Sequence, residues 1–455
     1  MSEEILANGL DGATGQYVQS LWSGLDPAGR VQGRPPLSPS ELREHRWWIE
    51  RFSLDDPRRT SMEDFDPQSV ASAGWGVIFA QDTPPGVRRA LEPLLEWRRA
   101  QAGPLFKVFE HQPGRTKLDF LRAHKAPPGP ADPRQIPYYL LLVGDPRTIP
   151  FLFQHELDLQ YALGRIWFES PEEYACYARS VVEHEARPRE RPSRVVFFGV
   201  ENEVDRATSR MSLELIGPLA AKLSEEGHVL RVPGEQATKQ RLSRLLGGDE
   251  TPDVLVTASH GLRFSCGDPR QIPDQGALVC RDWPGPTWQG PIPREHYFGA
   301  EDVSGAARLN GLIAFFFASY GGGTPEADSL FPDQRESPRI APHPFIARLP
   351  QRLLGHPGGG ALAVVSHTDQ GYLPSSQEAR VLESALGRLL TGFPLGSAME
   401  YVNQYSAELS VQLTHLWDDS RSHLGAAGER FSRLWRTHHT MRSLAIFGDP
   451  AVRLA

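Results

Sequence analysis

The sequence is poor in cysteine: Cys176, Cys266 and Cys280 are the only three among 455 residues, and none has a CxxC partner. That scarcity excludes a disulfide framework and a zinc knuckle. Long apolar runs are missing too. No stretch approaches the roughly eighteen apolar residues of a transmembrane helix. The start, MSEEILANGLDG, has neither a basic n-region nor an apolar core, which argues against a secretory signal and places the protein in the cytoplasm, away from membranes. Basic charge is not in excess either. With 48 Lys and Arg against 56 Asp and Glu, the net charge of −8 weighs against nucleic acid as the main partner. No Walker, Rossmann or zinc-protease signature occurs, nor a tandem repeat, and neither metal nor cofactor is expected.

What is present is the composition of a soluble globular protein, 40% hydrophobic and 23% charged, with 42 glycines and 40 prolines that imply many loops. Residues 1–73 read as an N-terminal extension, with a helix entry at Ser38-Pro39-Ser40-Glu41-Leu42. From Gly74 the pattern changes. GWGVIFA reads as a buried strand, and VRRALEPLLEWRRAQAG carries Val87, Leu91, Leu94 and Leu95 at helical spacing. YYLLLVGDP (138–146) is a continuous apolar run closed by Gly-Asp-Pro, as in a fully buried parallel strand. After the helix PEEYACYARSVVEHE, the Pro/Arg-rich segment 187–194 marks an internal boundary, so that 74–186 and 190–455 form two units. The second unit alternates strand and helix: RVVFFGV, LELIGPLAAKLSEEG, HVLRV, KQRLSRLLG, DVLVTA, then LIAFFFA (312–318), ALAVVS (361–366) and the terminal RSLAIFGDPAVRL. This rhythm predicts an α/β fold with a mainly parallel sheet flanked by helices.

In open parallel sheets functional groups collect at the carboxyl ends of the strands. DVLVTA runs into Ser259-His260-Gly261, and LIAFFFA into Ser319-Tyr320-Gly321-Gly322-Gly323-Thr324-Pro325. If the two strands are neighbours, an imidazole faces a nucleophile across one cleft. The glycines then let backbone N–H groups approach a developing oxyanion. A strand ending in S-H-G, followed by one ending in A-[nucleophile]-Y-G-x-G-T-P, resembles the His/Cys dyad of the caspase-like cysteine peptidases, the clan of caspases, gingipains and CHAT-domain proteases. LLLVGDPRTIPF, Asp158 to Tyr161 leading to Gly164-Arg165-Ile166, and the terminal IFGDPAVRL are similar to the gingipain type in the same order, from about residue 74 onward.

The resemblance implies a caspase-hemoglobinase-like sheet in two subdomains, with 74–186 supporting and 190–455 catalytic. It makes His260 the general acid/base and position 319 the nucleophile, with N–H groups of Gly261 and Ser319 as the oxyanion hole. Here the sequence departs from the pattern, since position 319 is serine where these peptidases carry cysteine. A hydroxyl is far less acidic than a thiol, so Ser319 reads as an inactivating substitution; a natural pseudoprotease that binds peptides, or a true serine peptidase, is the alternative. The G-x-S-x-G elbow of the α/β-hydrolases is absent around Ala318-Ser319.

The strand after the nucleophile leads, in the gingipain-like arrangement, to the primary specificity pocket, here Ser366 to Tyr372. Asp369 would pair with a basic side chain and Tyr372 would cover the pocket, which suggests cleavage after Arg or Lys. A turn-capping role for Asp369 is the alternative, and Asp205 and Glu214 stay open as other acids. No counterpart of the family's acid upstream of the histidine is evident by spacing. The loop 324–345, holding Arg335 and Arg339, would be an activation loop cut by a partner protease, against the alternative of a plain solvent loop. The insertion after His260 lengthens its gap to residue 319 and would shape a substrate groove; Cys266 and Cys280 within it read as structural or exposed thiols. His438-His439 read as surface residues. By analogy with the family, the protein would cleave other proteins as an effector of bacterial antiviral defence, including CRISPR-linked systems.

Overall fold

The apolar runs rich in Val, Ile, Phe and Tyr become short strands buried on both faces, as expected where helices cover a parallel sheet. A computed structural model of the chain describes residues 8–18, 65–187, 193–224, 228–328, 338–373, 376–420 and 427–454. The helix entry at Ser38 and the activation-loop residue Arg335 lie outside them. In chain order the strands are β1 (Gly9–Asp11), β2 (Trp75–Ala80), β3 (Phe106–His111), β4 (Tyr139–Val143), β5 (Ala162–Ile166), β6 (Arg194–Gly199), β7 (His228–Val232) and β8 (Val254–Ala258). There follow β9 (Gly261–Arg263), β10 (Leu278–Val279), β11 (Tyr297–Phe298), β12 (Ile313–Phe317), β13 (Gly323–Thr324), β14 (Phe345–Ile346), β15 (Ala363–His367) and β16 (Leu444–Gly448).

Ten of these strands form one sheet in the order β3-β2-β4-β5-β16-β15-β12-β8-β6-β7. All neighbours are parallel except β15 and β16, which pair antiparallel from Ala363 opposite Gly448 to His367 opposite Leu444. The terminal strand β16 therefore joins the strands of 74–186 to those of 190–455, and the direction reversal puts the carboxyl ends of the two sets on opposite edges. A second, four-stranded sheet, β1-β9-β10-β11, stands beside the carboxyl edge of β8. The mainly parallel α/β sheet flanked by helices is thus as the strand–helix rhythm predicts.

Local chemistry sets the helices. Helix Pro85–Ala102 buries Val87, Leu91, Leu94 and Leu95 on one face, each such side chain worth roughly 2 kcal/mol when withdrawn from water. It packs along helix Pro171–Glu185, which starts at a capping box between Ser170 and Glu173. Between them lies a buried ionic group. Arg98, 1% exposed, donates Nε to Asp449 Oδ2 at 2.7 Å and two more N–H groups to Glu185, also at 2.7 Å. Trp75 Nε1 donates to the other Asp449 oxygen at 3.0 Å. This group ties the terminal Gly448-Asp449 turn to helices Pro85–Ala102 and Pro171–Glu185.

Candidate active site

Strand β8 pairs with β12 in register, Ala258 opposite Phe317, so His260 and Ser319 leave the sheet at the same level on adjacent strands. Both side chains are fully buried. Asp205 is the residue that spacing alone does not reveal as the histidine's partner. As N-cap of helix Arg206–Met211 its carboxylate accepts the Ala207 N–H at 3.0 Å, and Oδ2 accepts His260 Nε2 at 2.8 Å. Thr208 and Tyr17 hydroxyls complete its partners at 2.8 and 2.6 Å. Burial alone would make Asp205 a weaker acid; the charge of a protonated His260 and these hydrogen bonds outweigh it and hold the carboxyl well below the usual carboxylate range. The imidazole is flanked edge-on by Trp283 at 5.9 Å and, with rings tilted, by Tyr17 at 5.6 Å between ring centroids. Its Nδ1 has no hydrogen-bond partner among the described residues. The proton is thereby placed on Nε2 by Asp205, leaving Nδ1 as the basic nitrogen.

The turn after Ser319 is built from backbone. Tyr320 adopts a left-handed conformation, φ 60°, unusual for a bulky residue and costing of the order of 1 kcal/mol. Its N–H is held by Asp369 O at 2.9 Å, and Gly322 N by His367 O at 2.8 Å, so β15 fixes the turn. Ser319 Oγ accepts the Gly371 N–H at 3.0 Å. Gly261 can be nothing else, because a Cβ there would sit 1.9 Å from Ser319 O. That approach aligns two donors: the N–H groups of Gly261 and Ser319 both point to a single carbonyl oxygen, that of Asn8, at 3.3 Å each. The two N–H groups expected as an oxyanion hole, those of Gly261 and Ser319, thus converge on one acceptor.

The remaining candidates are placed as follows. Asp369 is buried, its carboxylate accepting the Gln370 N–H at 2.7 Å and lying 3.7 Å from His439 Nε2. Tyr372 is buried under the Arg436 guanidinium, with its N–H on Thr440 Oγ1 at 3.1 Å. Arg339 bridges to Ala327 and lies 3.2 Å from Glu326 in an exposed ion pair. Glu214 pairs with Arg210 one helical turn away. Cys266 is exposed and Cys280 buried. The histidine pair departs from its surface assignment: His439 is 3% exposed, because the last helix, Ala427–Ser443, folds back over β15 to deliver β16.

His367, His438 and His439 form a cluster with Asp369 and Arg442. Burial, joined by the charge of Arg442 on His438 and His439 and by His439 on His367, pushes each down to about 3. His155, nearby, is also lowered by burial and Arg442. Groups whose folded affinity for protons lies below the unfolded one, ~6.5 for histidine, stabilise the fold fully above that pH. Their contribution drains away as pH falls from there toward 3, by roughly 1 kcal/mol per group per pH unit. Melting temperature should accordingly drop by about 5 °C or more between pH 7 and 5, and His439→Gln should flatten the slope; a flat profile in the parent chain would contradict it.

No family profile matches the chain, and no curated protein sequence is significantly similar to it. Among solved structures, one described as "Structure of Protease" aligns with 83% of this chain and 78% of its own, at a TM-score of 0.47 and 12% identity. Among the described residues no helix is long and apolar enough to cross a membrane.

Proposed function

We propose that this protein is a caspase-like endopeptidase site in which residue 319 is the nucleophile position, occupied in this chain by serine. The observation that carries the reading is the convergence of the Gly261 and Ser319 N–H groups on one peptide carbonyl beside the His260–Asp205 pair. Residue 319 would attack a substrate carbonyl, His260 Nδ1 would take its proton and return it to the leaving amine, and the two N–H groups would hold the oxyanion. A thiol at this position is drawn into its ionised form by an imidazole far more readily than a hydroxyl, so cysteine would bring the site to full rate. Residues 190–455 carry the site and 74–186 support it. A preference for Arg or Lys through Asp369, activation by cutting of the 324–345 loop and a role in antiviral defence are further parts of this reading that the resemblance supplies.

The test compares the chain as given with Ser319→Cys on fluorogenic peptides ending in Arg, Lys, Asp, Asn and Leu, before and after limited proteolysis. Hydrolysis by the cysteine form, abolished by adding His260→Ala, is the expected result. Silence of both forms under every condition would replace the peptidase by a peptide-binding pseudoprotease, the second reading that Ser319 favours.

A further inference from the structure

The N-terminal strand occupies the site in the manner of a substrate. Asn8 donates its N–H to Gly371 O at 3.0 Å, and its carbonyl lies between the two oxyanion donors. Its side chain, 2% exposed, donates Nδ2 to Phe317 O at 2.8 Å. Gly9 follows against the nucleophile, where an added Cβ would lie 3.3 Å from both Cβ and Oγ of Ser319. Beyond it β1 pairs parallel with β9, Gly9 opposite Gly261 to Asp11 opposite Arg263, and Leu10 enters a small core with Leu262, Phe264 and Trp283. The hairpin closes through Val18 N to Gly9 O at 3.0 Å and sets Tyr17 over His260. Main-chain pairing on both sides of one carbonyl, with that carbonyl in the hole, is how a strand-adding site holds the bond it cuts.

We propose that the Asn8–Gly9 peptide bond is this site's own substrate in cis, and that the site selects asparagine before the scissile bond and glycine after it. The proposal rests on the peptidase reading above and replaces its preference for Arg or Lys by one for asparagine. The Phe317 carbonyl accepts an amide N–H and would repel a carboxylate, so asparagine is separated from aspartate; the tight approach at Gly9 disfavours side chains after the bond. In the reaction the residue-319 nucleophile bonds to the Asn8 carbonyl carbon, giving its proton to His260 Nδ1. The C–N bond to Gly9 breaks and the Gly9 amine takes that proton. Water then cleaves the acyl-enzyme, leaving Asn8 as a free carboxylate and regenerating residue 319. Until then the seated strand buries both dyad side chains and excludes peptides in trans.

Intact-mass spectrometry of the purified Ser319→Cys chain tests this directly. The expected product begins at Gly9, with Met1–Asn8 removed, whereas the same chain carrying His260→Ala or Asn8→Asp stays whole. Added peptides containing Asn-Gly should be cut at least tenfold faster than matched Asp-Gly peptides. Gly12→Leu provides a variant away from the dyad: a Cβ there would meet the Phe264 ring at 2.3 Å, lifting β1 from β9. It should raise both peptide hydrolysis in trans and iodoacetamide alkylation of the introduced thiol at least tenfold. Hydrolysis of added peptides after Arg or Lys with residues 1–8 retained would overturn the proposal and leave the peptidase reading standing. If nothing is hydrolysed, the peptidase reading and self-cleavage fall together. Alkylation no faster in Gly12→Leu would then also remove the strand as occupant of the site.

Discussion

Replacing Arg98 by methionine is expected to destabilise the fold by about 3–5 kcal/mol, the loss typical when one partner of a buried ion pair is removed. The guanidinium bridges two carboxylates that are nearly withdrawn from water: Asp449 is 0% exposed and the Glu185 side chain 8%. Burial would lower the proton affinity of Arg98, yet the charges of Asp449 and Glu185 and their hydrogen bonds raise it above the usual arginine range. With methionine the volume stays filled, but Asp449 keeps only neutral donors such as Trp75 Nε1 and the Ala451 N–H. Glu185 keeps Trp97 Nε1 and Gln101. Both carboxylates would then be charged and uncompensated. Urea unfolding followed by tryptophan fluorescence gives the loss. Adding Glu185→Gln and Asp449→Asn to Arg98→Met should recover most of it, since that removes the stranded charge while keeping shape. A loss below about 1 kcal/mol for Arg98→Met would show that the group contributes little.

That ion group also marks where the sequence ceases to be legible. The strands of the sheet are local facts: GWGVIFA and LIAFFFA are too apolar for a surface and too short for most helices, and they fold as read. The common level of His260 and Ser319 follows once β8 and β12 are neighbours, because each lies two residues beyond the last paired position. The junction through β16 is not local. Nothing in AIFGDP says that it inserts between β5 and β15 with one side antiparallel, and so nothing says that Asp449 meets Arg98. His439 escapes for the same reason: helix Ala427–Ser443 has enough charge to look solvated, and only its packing over β15 buries the histidine. Asn8-Gly9 lies in the stretch read only as an N-terminal extension, and its dock on β9 lies some 250 positions away, beyond the reach of any periodicity. Asp205 is the sharpest case, since a helix N-cap aspartate is commonplace; its second carboxylate oxygen gains a role only when the helix it caps is set beside the His260 turn.

Asp205 therefore carries the second large expectation. In the Ser319→Cys chain, Asp205→Asn should lower kcat/KM by roughly 10²–10⁴-fold, the range seen when the residue that sets a base's tautomer is neutralised. The capping oxygen Oδ1 can keep the Ala207 N–H and the Tyr17 hydroxyl, so the helix start is retained and melting should move by only a few degrees. The change falls on Oδ2, which accepts from His260 Nε2 at 2.8 Å and from the Thr208 hydroxyl. An amide NH2 there donates instead of accepting, and the imidazole answers by placing its proton on Nδ1, the nitrogen needed as base. With the negative charge gone, the imidazolium also loses its stabilising partner, and the acid limb of the pH–rate profile should move to lower pH. A merely structural aspartate would alter stability and leave that limb in place. Asp205→Glu, whose carboxylate can still accept from Nε2, should restore part of the rate. An unchanged rate and profile in Asp205→Asn would mean that His260 does not depend on this carboxylate, and the dyad would have to act without an orienting acid.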